Sequence, residues 1–420
     1  VKGHCARSFL VGLLFGQGGY HIIRMQILKD IADCFQSVSS LHVLIGFIFV
    51  YLVYYILFVV KKPCISCHDE VFRKFLLDHC PMIHEKFWPT VWCFESRAQT
   101  IMRSLIKSAP AVQYESEILT TSDGGQIKLD WMENDNSKYP DRQFRPTVIL
   151  LPGLTGSSQE SYVLHYVQEA AKHGYRTVVF NNRGNGGARL LTPRTYCAAN
   201  TDDMALVVAH VKNKYPDSPL MGAGISLGGM ILLSYMAKTG RDCGLLAGMV
   251  VSIAWNVFES VLSLEQPYLN KYVLNRALAR NLVDSVKTNL HVFEPHLENL
   301  DHVLQASTIR EFDDRFTAKI FGYESWEHYY REACLHDKVH ALEVPVLCLS
   351  AADDPFSPHH AIPIKEAESN DNIAIVITSH GGHIGFMEGL FPRHRSYMDR
   401  LFSQFSYAVF THGHKYLKRD

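Results

Sequence analysis

From about residue 114 the apolar positions of this chain come in short runs separated by amphipathic stretches. Residues 115–119 and 126–131 alternate around a Ser-Asp-Gly-Gly turn at 122–125, a pattern that predicts a β-hairpin. Residues 147–151, Thr-Val-Ile-Leu-Leu, form an unbroken apolar run bounded by prolines, as expected of a strand buried on both faces. Further strands are predicted at 177–180, in the run ending at Ile225, and at 248–252, 346–350 and 374–377. Helical spacing occupies 161–173, 201–214 and 230–236. Strands alternating with helices predict an α/β domain, with a mostly parallel sheet covered on both faces. The rhythm stops between 255 and 338, where charged and aromatic helical sequence takes over. A helical insertion over the carboxyl ends of such a sheet is expected to act as a cap that shapes a pocket.

Upstream the pattern is different. Residues 41–60, LHVLIGFIFVYLVYYILFVV, contain no formal charge, and a helix of that length covers about 30 Å, enough to cross a bilayer. The segment begins too far into the chain, and lacks the small-residue cleavage site, to be an ordinary signal peptide. Residues 1–40 are expected to be a leader; their apolar stretch at 9–15 is too short to span, and no function is assigned to them. The chain begins at Val1 rather than Met, so an incomplete or unusual N-terminus is expected. Residues 61–110, with helical spacing around 71–77 and 98–106, are expected to form a membrane-proximal collar. Its Phe87, Trp88, Trp92 and Phe94 fit either lipid headgroups or a protein core. Arg24 and Lys29 precede the span, whereas Lys61, Lys62, Arg73 and Lys74 follow it. That bias favours a cytosolic C-terminal part, as does the absence of an Asn-x-Ser/Thr sequon.

Composition narrows the function classes. The chain is 47% hydrophobic and 20% charged, with 41 Lys and Arg against 42 Asp and Glu, the balance of a globular protein without a basic field. Nucleic acid is therefore not expected as a partner. Ten cysteines in 420 residues, without dense spacing, do not make a disulfide scaffold. The close pair Cys64 and Cys67 follows the span, where S-acylation is conceivable, but an incidental pair is the better reading. No His, Cys or Glu cluster has metal-site spacing, so neither a metal nor a cofactor is implied. The glycines of 184–187 lack a P-loop lysine and a Gly-x-Gly-x-x-Gly pattern, and are read as a structural loop.

The chemistry is carried by Gly224-Ile225-Ser226-Leu227-Gly228, which stands between a small apolar run and a helix. A serine at the tip of a sharp strand-to-helix turn occupies strained dihedrals, and side chains two residues either side would collide, which explains the glycines. The alternative is a turn that only lets the helix pack closely on the strand. Serine alone is a poor nucleophile near neutral pH, so it needs a general base and a group that orients the base. Residues 350–358 follow one predicted strand and offer Asp353 and Asp354; residues 379–385 follow the next and offer His380 and His383. His383 is favoured because glycines on its N-terminal side and at 385 free its loop to approach the serine. The order Ser, Asp, His is that of α/β-hydrolases. For an oxyanion, the backbone N–H groups of Leu227 and of Leu154, in Leu151-Pro152-Gly153-Leu154-Thr155-Gly156, are the expected donors. His-x-x-x-x-Asp, an acyltransferase pattern, occurs at His296/Asp301 and His394/Asp399 but is expected by accident among 22 histidines.

Taken together, LLPGLTGSSQESYVLH, VVFNNRGNGG, LLTPRTYCAANTDD, GISLGGM, TIREFDDRFT, FGYESWEHYY, LSAADDPFSP and SHGGHIGFMEGL resemble the membrane-anchored α/β-hydrolase domain-containing proteins 1 and 3 over about residues 70–415. Before residue 60 only the single apolar span is shared. The resemblance implies an α/β-hydrolase fold over residues 111–416 and a Ser226, Asp354, His383 triad, with Asp354 matching an Asp-x-x-x-Pro pattern that ends at Pro358. It also implies a type II single-pass topology and glycerophospholipid substrates, with A1-type ester cleavage. The expected activity is thus hydrolysis of a lipid carboxylic ester. Acyl transfer, a general or acylglycerol esterase, and an idle fold serving as a membrane-bound interaction protein are the alternatives. Expected partners are the lipid substrate and the bilayer, and no protein partner is implied.

Overall fold

The computed structural model describes residues 40–135 and 137–416, together with Met25, Gln26 and Lys29. The leader expected at 1–40 lies almost entirely outside the described residues. The chain divides after Phe58 into two compact units. Helix α1 (Ser40–Val59) ends in a π-helical turn, and its 20 residues are long and apolar enough to cross a membrane.

The second unit is built on a nine-stranded sheet. Its strands are β1 (Cys64–Ser66), β2 (Glu115–Thr120), β3 (Gln126–Met132), β4 (Thr147–Leu151), β5 (Arg176–Asn181), β6 (Leu220–Ile225), β7 (Ala247–Val251), β8 (Val346–Ala351) and β9 (Ile373–Thr378), in spatial order β1-β9-β8-β7-β6-β4-β5-β3-β2. Pairing from β5 through β4, β6, β7 and β8 to β9 is parallel, whereas β3 runs antiparallel to both β2 and β5. The unbroken apolar runs follow from this arrangement, because β4 through β9 are buried at every residue. Along β4 the side chains alternate between two cores. Val148 and Leu150 face one, Ile149 and Leu151 the other.

Helices α2 (Glu70–His79), α3 (Ser96–Ile106), α4 (Ser161–Lys172), α5 (Asp202–Lys214) and α6 (Leu227–Thr239) come next in the chain. The cap follows with α7 (Val257–Leu264), α8 (Arg276–Thr288) and α9 (Trp326–Ala333), and α10 (Tyr397–Tyr416) closes the unit. One face of the sheet is covered by Val207 and Val211 of α5 and Leu232 and Met236 of α6. The other receives Tyr166 of α4, Phe402 and Phe405 of α10, and Phe72 and Phe75 of α2. A third, smaller core lies within the insertion, where Val283, Val286, Phe293, Phe312 and Phe316 pack with Leu190. The cap therefore has an apolar interior of its own.

Residues 61–110 belong to the same unit as the sheet. Strand β1, which the apolar pattern did not predict because three residues carry too little periodicity, pairs antiparallel with the outer edge of β9 and covers an edge that would otherwise be free. Phe87 is buried against Tyr397, whereas Trp88 and Trp92 are about half exposed, at 48% and 46%. The indole N–H of Trp92 donates to the Leu390 carbonyl at 2.8 Å. Cys64 is exposed and Cys67 buried, and burial pushes the Cys67 thiol up to about 12.

Candidate active site

Every predicted site residue lies just beyond the carboxyl end of a parallel strand, because that edge is where β4, β6, β8 and β9 hand the chain to loops. Ser226 follows β6 with φ 52° and ψ −121°, a left-handed conformation that costs a non-glycine residue about 1–3 kcal/mol. The turn is held from both sides. Ser226 N–H donates to the Val251 carbonyl at 2.8 Å, and its own carbonyl accepts from Met230 N–H at 3.0 Å in the first turn of α6. A Cβ on Gly224 would stand 2.5 Å from Gly229 Cα, and one on Gly228 would stand 2.2 Å from the Leu151 carbonyl oxygen. The two glycines are thus required by the close approach of helix and strands, in addition to the turn itself.

His383 Nε2 stands 2.9 Å from Ser226 Oγ, and its Nδ1 stands 3.0 Å from Asp354 Oδ2 and 3.2 Å from Oδ1. Asp354 is buried, and its Oδ1 also accepts the Phe356 N–H at 2.8 Å. The Phe356 ring stacks on the imidazole with centroids 3.9 Å apart, so the histidine is fixed in plane as well as by its hydrogen bonds. Neighbouring Asp353 has a different role: its Oδ1 accepts the Gly382 N–H at 2.9 Å and pins the histidine loop. Burial, with the charge of adjacent Asp354 adding to it, pushes the Asp353 carboxyl up to about 7. His380 stays apart, with Nδ1 3.1 Å from Ser379 Oγ and its ring edge-on to Phe94. Burial, followed by the charge of Lys61, pulls its imidazole below the usual range.

Four further side chains that hold the site loops were not legible from spacing. Thr100 Oγ1, on α3, accepts the His383 backbone N–H at 2.9 Å while donating to the Ser96 carbonyl at 2.8 Å. Ser252, itself at φ 52°, accepts the Ile384 N–H on Oγ at 3.1 Å. The loop after β4 is tied down by phenols: Gly153 N–H donates to the Tyr162 oxygen at 2.9 Å, and Thr155 N–H to the Tyr196 oxygen at 3.1 Å. Among the described residues, the N–H groups of Leu154 and Leu227 meet no acceptor. Phe356, Tyr162 and Tyr196 lay within quoted motifs, but nothing in the spacing of these residues, or of Thr100 and Ser252, distinguishes them from ordinary helix and loop residues.

Leu154, Ser226, Leu227 and His383 share one cavity of about 540 Å³, roofed by α7, α8 and the turns that follow them. Leu264, Leu278, Val286 and Phe312 make much of the roof apolar. Asp313 also lines the cavity; buried, it accepts from Thr317 Oγ1 at 2.7 Å and Tyr330 OH at 3.0 Å, and burial pushes its carboxyl up to about 7. Among the described residues, no group of three or more His, Cys, Asp or Glu side chains can hold a metal ion. The arrangement can pass a proton from Ser226 to His383, in a cavity lined also by Leu154 and Leu227, whose backbone N–H groups are without an acceptor among the described residues.

Comparison with known proteins agrees with this architecture. Residues 146–390 match the family described as alpha/beta hydrolase fold. Phospholipase ABHD3 of Homo sapiens is 49% identical over 382 residues, 91% of this chain and 93% of that protein. Protein abhd-3.2 of Caenorhabditis elegans is 36% identical over 330 residues, 78% of this chain and 86% of that protein. Among solved structures, the Pyrococcus furiosus esterase Pf2001 aligns with 13% identity and a TM-score of 0.47, covering 72% of this chain and 94% of that one. The chain belongs to the α/β-hydrolase family, within the group that contains ABHD3.

Proposed function

We propose that this protein is a membrane-anchored serine hydrolase that cleaves an acyl ester of glycerophospholipids. The observation that carries the reading is the continuous hydrogen-bonded line from Ser226 Oγ to His383 Nε2 at 2.9 Å and from His383 Nδ1 to Asp354 at 3.0 Å, opening into a largely apolar cavity. Ser226 attacks the acyl carbon as His383 takes its proton, and Asp354 holds the imidazole in the tautomer that leaves Nε2 free to accept. Negative charge on the former carbonyl oxygen is met by the Leu154 and Leu227 N–H groups and by the N-terminus of α6. His383 then gives the proton to the departing lysolipid alkoxide. Water, deprotonated by the same imidazole, releases the fatty acid from Ser226.

Close relatives named as phospholipases support the substrate class, and the apolar roof suits an acyl chain. Cleavage at the sn-1 position rests on the family resemblance. Helix α1 supports anchoring in the bilayer that supplies the substrate. Family resemblance supports a type II arrangement, whereas the four basic residues after the span favour a cytosolic hydrolase unit; protease protection in sealed vesicles decides between them.

The test is fatty-acid release from defined phospholipids by wild type and Ser226→Ala in matched membranes, alongside fluorophosphonate labelling. Release and labelling by wild type alone, with the freed chain coming from sn-1, is the expected result. Labelling that survives Ser226→Ala would remove Ser226 as nucleophile; Ser226-dependent labelling without phospholipid cleavage would remove the substrate class.

A further inference from the structure

Helix α3 carries two residues to the active site. Thr100 holds the His383 backbone, and Arg103, three positions and therefore about 4.5 Å farther along the helix axis, lines the same cavity. Arg103 is the one lysine or arginine among the residues that line it. Its Nε and Nη1 are buried and make no hydrogen bond, and among the described residues no carboxylate stands within 4 Å of it. Its neighbour is the face of Tyr162, with the guanidinium carbon 5.0 Å from the ring centroid. The oxygen of that tyrosine accepts the Gly153 N–H, so the cation is set beside the loop that presents Leu154.

Such a group is costly as it stands. A partly buried guanidinium without a carboxylate in contact loses hydration that a single aromatic face replaces only in part. Burial accordingly pulls the Arg103 pKa down, with Tyr162, Glu160 and Asp399 acting against it. The next cation in the chain, Lys107 just past the helix, is by contrast fully paired, with Nζ 2.5 Å from Asp399 and 3.0 Å from Ser396 Oγ. Of Arg103 in α3 and Lys107 just past its end, the cation without an ion-pair partner is the one at the cavity. A guanidinium without an ion-pair partner is matched to a phosphate oxyanion, which it can bind through a charge-assisted hydrogen bond.

We propose that Arg103 is the binding residue for the phosphodiester of the lipid substrate, gripping the head group while the acyl carbonyl lies at Ser226. The inference rests on the phospholipid reading above and deepens it. Only the glycerol backbone separates phosphate from ester carbonyl, and Arg103 lines the same cavity as Ser226, three positions along α3 from the residue that holds His383. Neutral glycerides offer Arg103 no charge, so this contact would favour phospholipid over diacylglycerol with the same chains.

The experiment measures protection of Ser226 from a fluorophosphonate probe by uncleavable ether lipids, using the full-length protein in mixed micelles. A dialkyl phosphatidylcholine is compared with the dialkylglycerol of the same chains. In wild type the phospholipid should protect at the lower concentration. In Arg103→Gln the ratio of the two half-protecting concentrations should collapse by about 10- to 100-fold, and Arg103→Lys should recover part of it. An unchanged ratio in Arg103→Gln overturns the proposal. Equal protection of wild type by the two lipids does so without any variant, which covers a substitution that fails to fold. Arg103-dependent protection in a protein that cleaves no ester phospholipid would keep this site and overturn the phospholipase reading. Ser226-dependent phospholipid cleavage with an Arg103-independent ratio would do the reverse.

Discussion

Asp354 Oδ2 stands 3.0 Å from Nδ1 of His383, on the side of the imidazole opposite Ser226, whereas Asp353 reaches the backbone N–H of Gly382. Two adjacent carboxyls at the end of β8 thus divide two tasks, one orienting the ring and the other the loop that carries it. Replacing Asp354 by Asn leaves the shape but reverses one hydrogen-bonding group, favouring the tautomer whose Nε2 is already protonated. Asp354→Asn is expected to lower kcat about 10³- to 10⁴-fold with a near-wild-type melting curve. Asp353→Asn keeps an acceptor for Gly382 and should lower kcat by less than about tenfold. Ester hydrolysis by the purified variants separates the two; the opposite ranking would exchange the assignments.

Thr100→Val keeps the side-chain shape and leaves the His383 N–H without its acceptor at 2.9 Å. An unsatisfied buried donor costs about 1–3 kcal/mol, so a lower melting temperature is expected together with a fall in kcat. Thr100→Ser should restore both. A Val variant with wild-type kcat would show that the histidine loop is held adequately by Asp353 and Ser252.

Gly228→Ala places a methyl carbon 2.2 Å from the Leu151 carbonyl oxygen, with backbone on both sides and no flexible side chain to yield. Destabilisation of about 3 kcal/mol or more is expected, seen as loss of folded, probe-labelled protein on expression. A well-folded variant would mean that α6 can draw back from β4.

Burial raises the carboxyl of Asp313 to about 7 from an ordinary value of 3.8. Between those two values the folded protein holds a proton that the unfolded chain has released. Stability contributed by this group is therefore greatest below about pH 4 and falls as pH rises towards 7, by at most about 1.4 kcal/mol per pH unit. Asp353, with its carboxyl also raised to about 7, acts with the same sign. Asp313→Asn removes one of the two groups, so its melting temperature should decline less than that of wild type between pH 5 and pH 8. Parallel curves would place the proton elsewhere.

Much of the architecture was legible because it depends on local pattern. Short unbroken apolar runs such as 147–151, bounded by prolines, suit strands covered on both faces, and Gly224-Ile225-Ser226-Leu227-Gly228 suits a sharp turn because larger side chains at its glycines would strike neighbouring backbone. The apolar stretch found in α1 was equally plain from its length and lack of charge. Strand β1 was not, because three residues of Cys64–Ser66 acquire meaning only from the β9 edge they cover. Within each pair of like residues the sequence favoured one, His383 over His380 by its flanking glycines and Asp354 over Asp353 through the family motif alone. The three-dimensional packing gives each its own partner, since a hydrogen bond depends on which way each side chain leaves its loop. Tertiary structure alone also brought α3 to the catalytic edge, carrying Thr100 to His383 and Arg103 into the cavity across more than a hundred residues of chain. Periodicity in a sequence reports which face of an element is buried; which distant element lies against that face is decided by the packing of the whole domain.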